Sequence, residues 1–111
     1  MRWLFVILSL LAAPAAAQDV DLELVLLADA SGSITDEEIR FQREGYAAAM
    51  THPEVLSAIA GTAYGAIAVT HVEWAANTAV VVDWTRIDGP ESAASFAAAL
   101  LVPPRQAYGR A

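Results

Sequence analysis

Leu24-Val25-Leu26-Leu27-Ala28-Asp29-Ala30-Ser31-Gly32-Ser33 carries an apolar run directly into one carboxylate and two hydroxyls at alternate positions. The run predicts a β-strand from Asp21 to Asp29. It alternates at first and is then continuously apolar through Ala28, the pattern of a central strand covered on both faces. Ser31-Gly32-Ser33 breaks the strand into a turn. The side chains of Asp29, Ser31 and Ser33 are hard oxygen donors, the ligand type that Mg²⁺ accepts in octahedral array. The turn is therefore a candidate metal site. A plainer reading of the same residues is a Ser/Gly turn in which Asp29 caps its own backbone.

Downstream of the turn, Thr35 predicts a helix N-cap, with Asp36 and Glu37 in the first turn and Glu38 completing a capping box. Acids gathered at a helix N-terminus are explained by the helix dipole without any ion. The helix is expected to reach Met50 and stop near His52-Pro53. Two stripes compete for its inward face: Ile39, Tyr46 and Met50, or Phe41, Gly45 and Ala48. Arg40, Arg43 and Glu44 read as a solvated face, with Arg40 and Glu44 at helical pairing distance.

A short second helix is predicted over 54–60, ended by Gly61, with His52 serving the last carbonyls of the helix before it. Residues 66–74 and 79–84 read as strands separated by a hairpin-length link, hence antiparallel neighbours. His71 reads as a packing or surface residue rather than a ligand, and Trp74 and Trp84 as core or cross-strand contacts. A third helix, 91–101, is stopped by Pro103-Pro104, and Arg105 to Ala111 reads as a polar tail without clear structure. The fold class is α/β, in the order strand, helix, short helix, strand, strand, helix. That order gives a parallel pair and an antiparallel edge hairpin, and it leaves the first strand unpaired on one side.

Upstream, Met1-Arg2, the apolar stretch 3–11 and Ala15-Ala16-Ala17 form a secretory signal peptide, with cleavage expected after Ala17. The apolar stretch is well short of the roughly 20 residues a membrane span needs. The division is therefore 1–17 leader and 18–111 domain, and the expected location is the periplasm or the extracellular space. Past the leader, five arginines face 13 acids, a formal charge of −8, and lysine is absent. So acidic a chain disfavours nucleic acid and anionic membranes as partners. With no cysteine, disulfides and thiolate metal sites are excluded.

Val25 to Ile34 resembles the opening of a von Willebrand factor A-type domain, in which an apolar strand runs into Asp-x-Ser-x-Ser. Residues 41–49 and 67–75 further resemble a bacterial secreted subgroup of that superfamily, domain of unknown function 1194. The similarity covers roughly 19–104. It implies the N-terminal half of a doubly wound, Rossmann-like sheet with a metal-ion-dependent adhesion site at the carboxyl ends of its strands. By that resemblance, Ser31 and Ser33 give hydroxyl oxygens to Mg²⁺ or Mn²⁺, and Asp29 binds directly or through water. The family adds a threonine after the helix that follows the hairpin, and an acid after the next strand. Residues 105–111 hold neither, so a C-terminally truncated domain is expected.

The resulting functional expectation is a non-enzymatic protein-binding module. An acidic residue of the partner completes the metal shell, and the ion is held weakly or not at all by this chain alone. A fragment without independent function is the alternative. A secreted serine hydrolase is the third reading, but no Asp-x-x-His follows and no Gly-x-Ser-x-Gly elbow is present.

Overall fold

The computed structural model describes residues 19–110, so the leader and its cleavage point lie outside the described residues. Its elements are β1 (Leu22–Asp29), α1 (Asp36–Met50), α2 (Pro53–Ala60), β2 (Ile67–Trp74), β3 (Thr78–Ile87) and α3 (Pro90–Leu101). The α/β order expected from the sequence is present, with β3 three residues longer at its end than its apolar run.

The sheet order is β1-β2-β3. β1 runs parallel to β2 in an unbroken register from Leu22 opposite Ile67 to Asp29 opposite Trp74. β2 and β3 are antiparallel, with a slip in register around His71 that frees the Val82 carbonyl to accept from the Thr70 hydroxyl at 2.7 Å. β1 is therefore not the central strand its composition suggests. A tight hairpin keeps β3 on one side of β2 and leaves the other side to β1, so β2 takes the middle.

One face of the sheet carries Leu24 and Leu26 from β1, Ile67 and Val69 from β2, and Val82 and Ile87 from β3. It packs on Ala47 and Met50 of α1, Ile59 of α2, and Ala93, Phe96 and Leu100 of α3. Of the two candidate stripes on α1, the one through Ile39, Tyr46 and Met50 turns inward, and Phe41 is left 79% exposed. Among the described residues, no helix covers the second face of the sheet. Val25, Leu27, Val80 and Trp84 stand about half exposed, so of the two places open to Trp84 the core is excluded and a cross-strand position remains.

Local signals set the element ends. Thr35 and Glu38 form the reciprocal capping box that opens α1. His52 serves the end of α1 through its backbone alone, its amide donating to the Ala49 carbonyl at 3.2 Å, while its ring turns the other way. It caps the start of α2, its Nδ1 accepting from the Glu54 amide at 3.2 Å. At the amino end of the sheet, the Asp21 carboxylate accepts from the Thr62 hydroxyl at 2.6 Å and from the Tyr64 amide, closing the link from α2 to β2.

Candidate metal centre

Asp29 ends β1 at the carboxyl edge of the parallel pair, where open α/β sheets bind their ligands. The Ser31 amide donates to Asp29 Oδ1 at 2.8 Å, and the Ile34 amide closes the turn on the Ser31 carbonyl at 2.8 Å. The Ser31 hydroxyl, and after it the Ser31 amide, hold the Asp29 carboxyl below its ordinary value, so it is ionised at neutral pH. Ser33 stands exposed on the same turn. The bond from the Ser31 amide to Asp29 is that of the self-capping turn, the plainer of the two readings.

Two contacts fix this turn from below. The Ala30 amide donates to the Trp74 carbonyl at 2.8 Å, continuing the strand pairing by one residue. Ala30 itself is fully buried in a small satellite core with Ile39 and Ala107, flanked by Ile34 and Ala75.

The donor chemistry fits a hard cation in part. An ionised carboxylate beside a hydroxyl suits Mg²⁺ or Mn²⁺, but these few donors fill only part of an octahedral shell. Among the described residues, no group of three or more His, Asp or Glu side chains stands ready to hold an ion. Two of the three acids at the start of α1 are otherwise engaged: Glu38 with the Thr35 cap, and Asp36 with Arg105 at 3.0 Å.

Sequence reasoning missed the material that braces the turn. Arg105 to Gly109 is not a loose tail, because it folds back across the carboxyl end of the sheet. The Gly32 amide donates to the Gly109 carbonyl at 2.9 Å, and the Ala76 amide to the Tyr108 carbonyl at 3.1 Å. Asn77 meets both the Gln106 carbonyl and the Tyr108 amide. Arg105 donates to the Ile34 carbonyl, and Ala107 is fully buried.

Arg43 is likewise not on a solvated face. It is 4% exposed and meets Glu73, which is fully buried, at 2.5 Å. The same guanidinium donates to the carbonyls of Leu100, Pro103 and Pro104. The second Glu73 oxygen accepts from the Gln106 amide at 2.8 Å and the Ala107 amide at 3.3 Å. Burial alone pushes the Glu73 carboxyl up, but those amides and Arg43 overcome it and hold the group below its ordinary value. One signal could have revealed the pair. Ile67, Val69, His71 and Glu73 share the buried phase of β2, and a carboxylate in that phase needs a cation opposite.

His71 packs, the first of the two places expected of it. It is fully buried, and its ring is 5.4 Å from that of Tyr46. Neither ring nitrogen has a partner in hydrogen-bonding geometry. Burial, and then the neighbouring Arg43 charge, pull His71 below its ordinary value, against weaker opposing pulls from Glu73 and the Leu26 carbonyl. The unfolded chain therefore takes up this proton near pH 6.5, whereas the folded chain resists until lower pH. Stability should fall as pH drops below about 6.5, with Glu73 adding a further loss below about 4.5. Thermal melts across this range should show the first loss in the wild type and its removal in His71→Phe; an unchanged slope in the variant would refute the assignment.

Among the described residues, no helix is long and apolar enough to cross a membrane. No curated protein and no solved structure matches the chain. A family model does match, over residues 19–111, and its description is "Protein of unknown function (DUF1194)".

Proposed function

The chain belongs to the DUF1194 family, and from that membership and the turn after β1 we propose a cation-dependent protein-binding module of von Willebrand factor A-like type. It is exported to the periplasm or beyond, acts without catalysis, and contains a site of the metal-ion-dependent adhesion kind. Asp29, Ser31 and Ser33 would hold Mg²⁺ or Mn²⁺, which supplies a Lewis-acidic anchor for an acidic side chain. The carrying observation is the ionised Asp29 carboxylate, bonded to Ser31 on a turn seated at the carboxyl end of a parallel strand pair.

The chain's own residues do three things in this reading. Asp29 contributes the negative charge that attracts the cation. Ser31 and Ser33 add neutral oxygens, so the site keeps enough positive character to draw a partner's carboxylate. The satellite core under Ala30 keeps the turn in place, which lowers the ordering cost on binding.

Calorimetric titration of the purified protein should show Mg²⁺ or Mn²⁺ affinity on the order of millimolar or weaker, as an incomplete oxygen shell requires. Asp29→Ala should erase what is measured. A Glu-bearing peptide should be retained with Mn²⁺ and released by a chelator. Tight stoichiometric uptake by the protein alone, or peptide retention indifferent to metal, would count against the proposal.

A further inference from the structure

The buried pair Arg43–Glu73 shares no bond with the Asp29–Ser33 turn, but it holds the backbone that goes on to reach that turn. Arg43 comes from α1 and Glu73 from the end of β2, and both reach the backbone that follows α3. Together they engage four backbone groups of that stretch, the carbonyls of Pro103 and Pro104 and the amides of Gln106 and Ala107, and one in the last turn of α3, the Leu100 carbonyl. One and two residues further on, the same backbone bonds Ala76 through Tyr108 and Gly32 through Gly109.

We propose that Arg43 and Glu73 are positioning residues, a latch that fixes 103–107 so that Gly109 holds the Asp29–Ser33 turn in its donor arrangement. The assignment rests on the metal-site reading only for what the turn does; the latch concerns where the turn is held.

Three features support it. The pair is more expensive than a core contact needs to be, since two charges leave water where apolar side chains could pack. Each Glu73 oxygen serves a different element, Oε1 taking α1 and Oε2 taking 106–107, so one carboxylate ties both to the end of β2. The fit at the far end is also close. Gly109 has φ +92°, and a Cβ there would come within 3.0 Å of the Ala76 Cβ, so the segment sits against the hairpin with no room to drift towards it.

Amide hydrogen exchange on metal-free protein tests the latch. In Glu73→Gln, which keeps the shape but cannot charge-pair Arg43 while serving both amides, Gly32 and Ala76 should exchange about tenfold faster. Amides of the β2–β3 ladder, such as Val69, should stay near the wild-type rate. Arg43→Lys keeps the charge but loses the fork of donors, and it should give the same local pattern. Unchanged Gly32 protection would overturn the latch. So would a parallel rise across the ladder, or failure of both variants to fold, because either assigns the pair to bulk stability. Glu73→Ala is not the test, since it also strips the Gln106 and Ala107 amides of any acceptor and is expected to lower global stability. Mn²⁺-induced broadening of the Ser31 and Ser33 amide signals reads the metal separately. Its absence in wild type would sink the metal reading and leave the exchange result to decide the latch.

Discussion

Glu73→Ala should lower the unfolding free energy by about 3–5 kcal/mol, a large share of the roughly 5–15 kcal/mol of an ordinary domain. The loss is not simply that of an attraction. Removing the carboxylate leaves the Arg43 guanidinium buried without its counter-charge and strips the Gln106 and Ala107 amides of their acceptor. A buried unpaired charge and orphaned donors each carry their own desolvation penalty. Urea unfolding followed by circular dichroism measures the effect. A double replacement, Arg43→Met with Glu73→Leu, should recover much of the loss because apolar side chains of similar volume need no partner. A loss under about 1 kcal/mol for Glu73→Ala would show that water reaches the pair in solution.

Phe96→Ala should cost about 3–5 kcal/mol, the transfer cost of the ring plus that of the cavity it leaves. Phe96 is 1% exposed and is the largest fully buried side chain of the described core. It sits where α3 meets the sheet, among Val69, Val82, Ile87 and Leu100. The same cluster includes Ala47, Ala93, Ala97 and Ala99, and small side chains cannot swing in to fill a gap. Phe41→Ala provides the control. That ring is mostly in solvent on the outer side of α1, so its loss should shift stability by no more than about 0.5 kcal/mol. Equal effects at the two positions would mean that α1 or α3 packs through a different face.

What could be read in advance was local. The Thr35–Glu38 capping box, Pro53 at the first turn of α2, and the short link between β2 and β3 each depend on a few adjacent residues. The turn after β1 was visible for the same reason, because Asp29 and Ser31 bond across two positions. What escaped was non-local. Arg43 looked solvated beside Arg40 and Glu44, and nothing within its own helix announces a partner 30 residues away. The segment 105–109 is polar and lacks a periodic pattern. It is ordered by contacts with β2, the hairpin turn and the loop after β1, none of which its own composition specifies. β1 misled in the opposite direction, since its composition suits a place covered on both faces while its pairing puts it at one side.

That one-sided clothing of the sheet bears on how the molecule yields to denaturant. Steepness of a urea transition and the heat-capacity step of melting both follow the surface newly wetted on unfolding. Val25, Leu27, Val80 and Trp84 are already partly wetted, so they add little to either quantity. Shallow curves from this protein would reflect a lean two-layer architecture, without any need to invoke partly folded species.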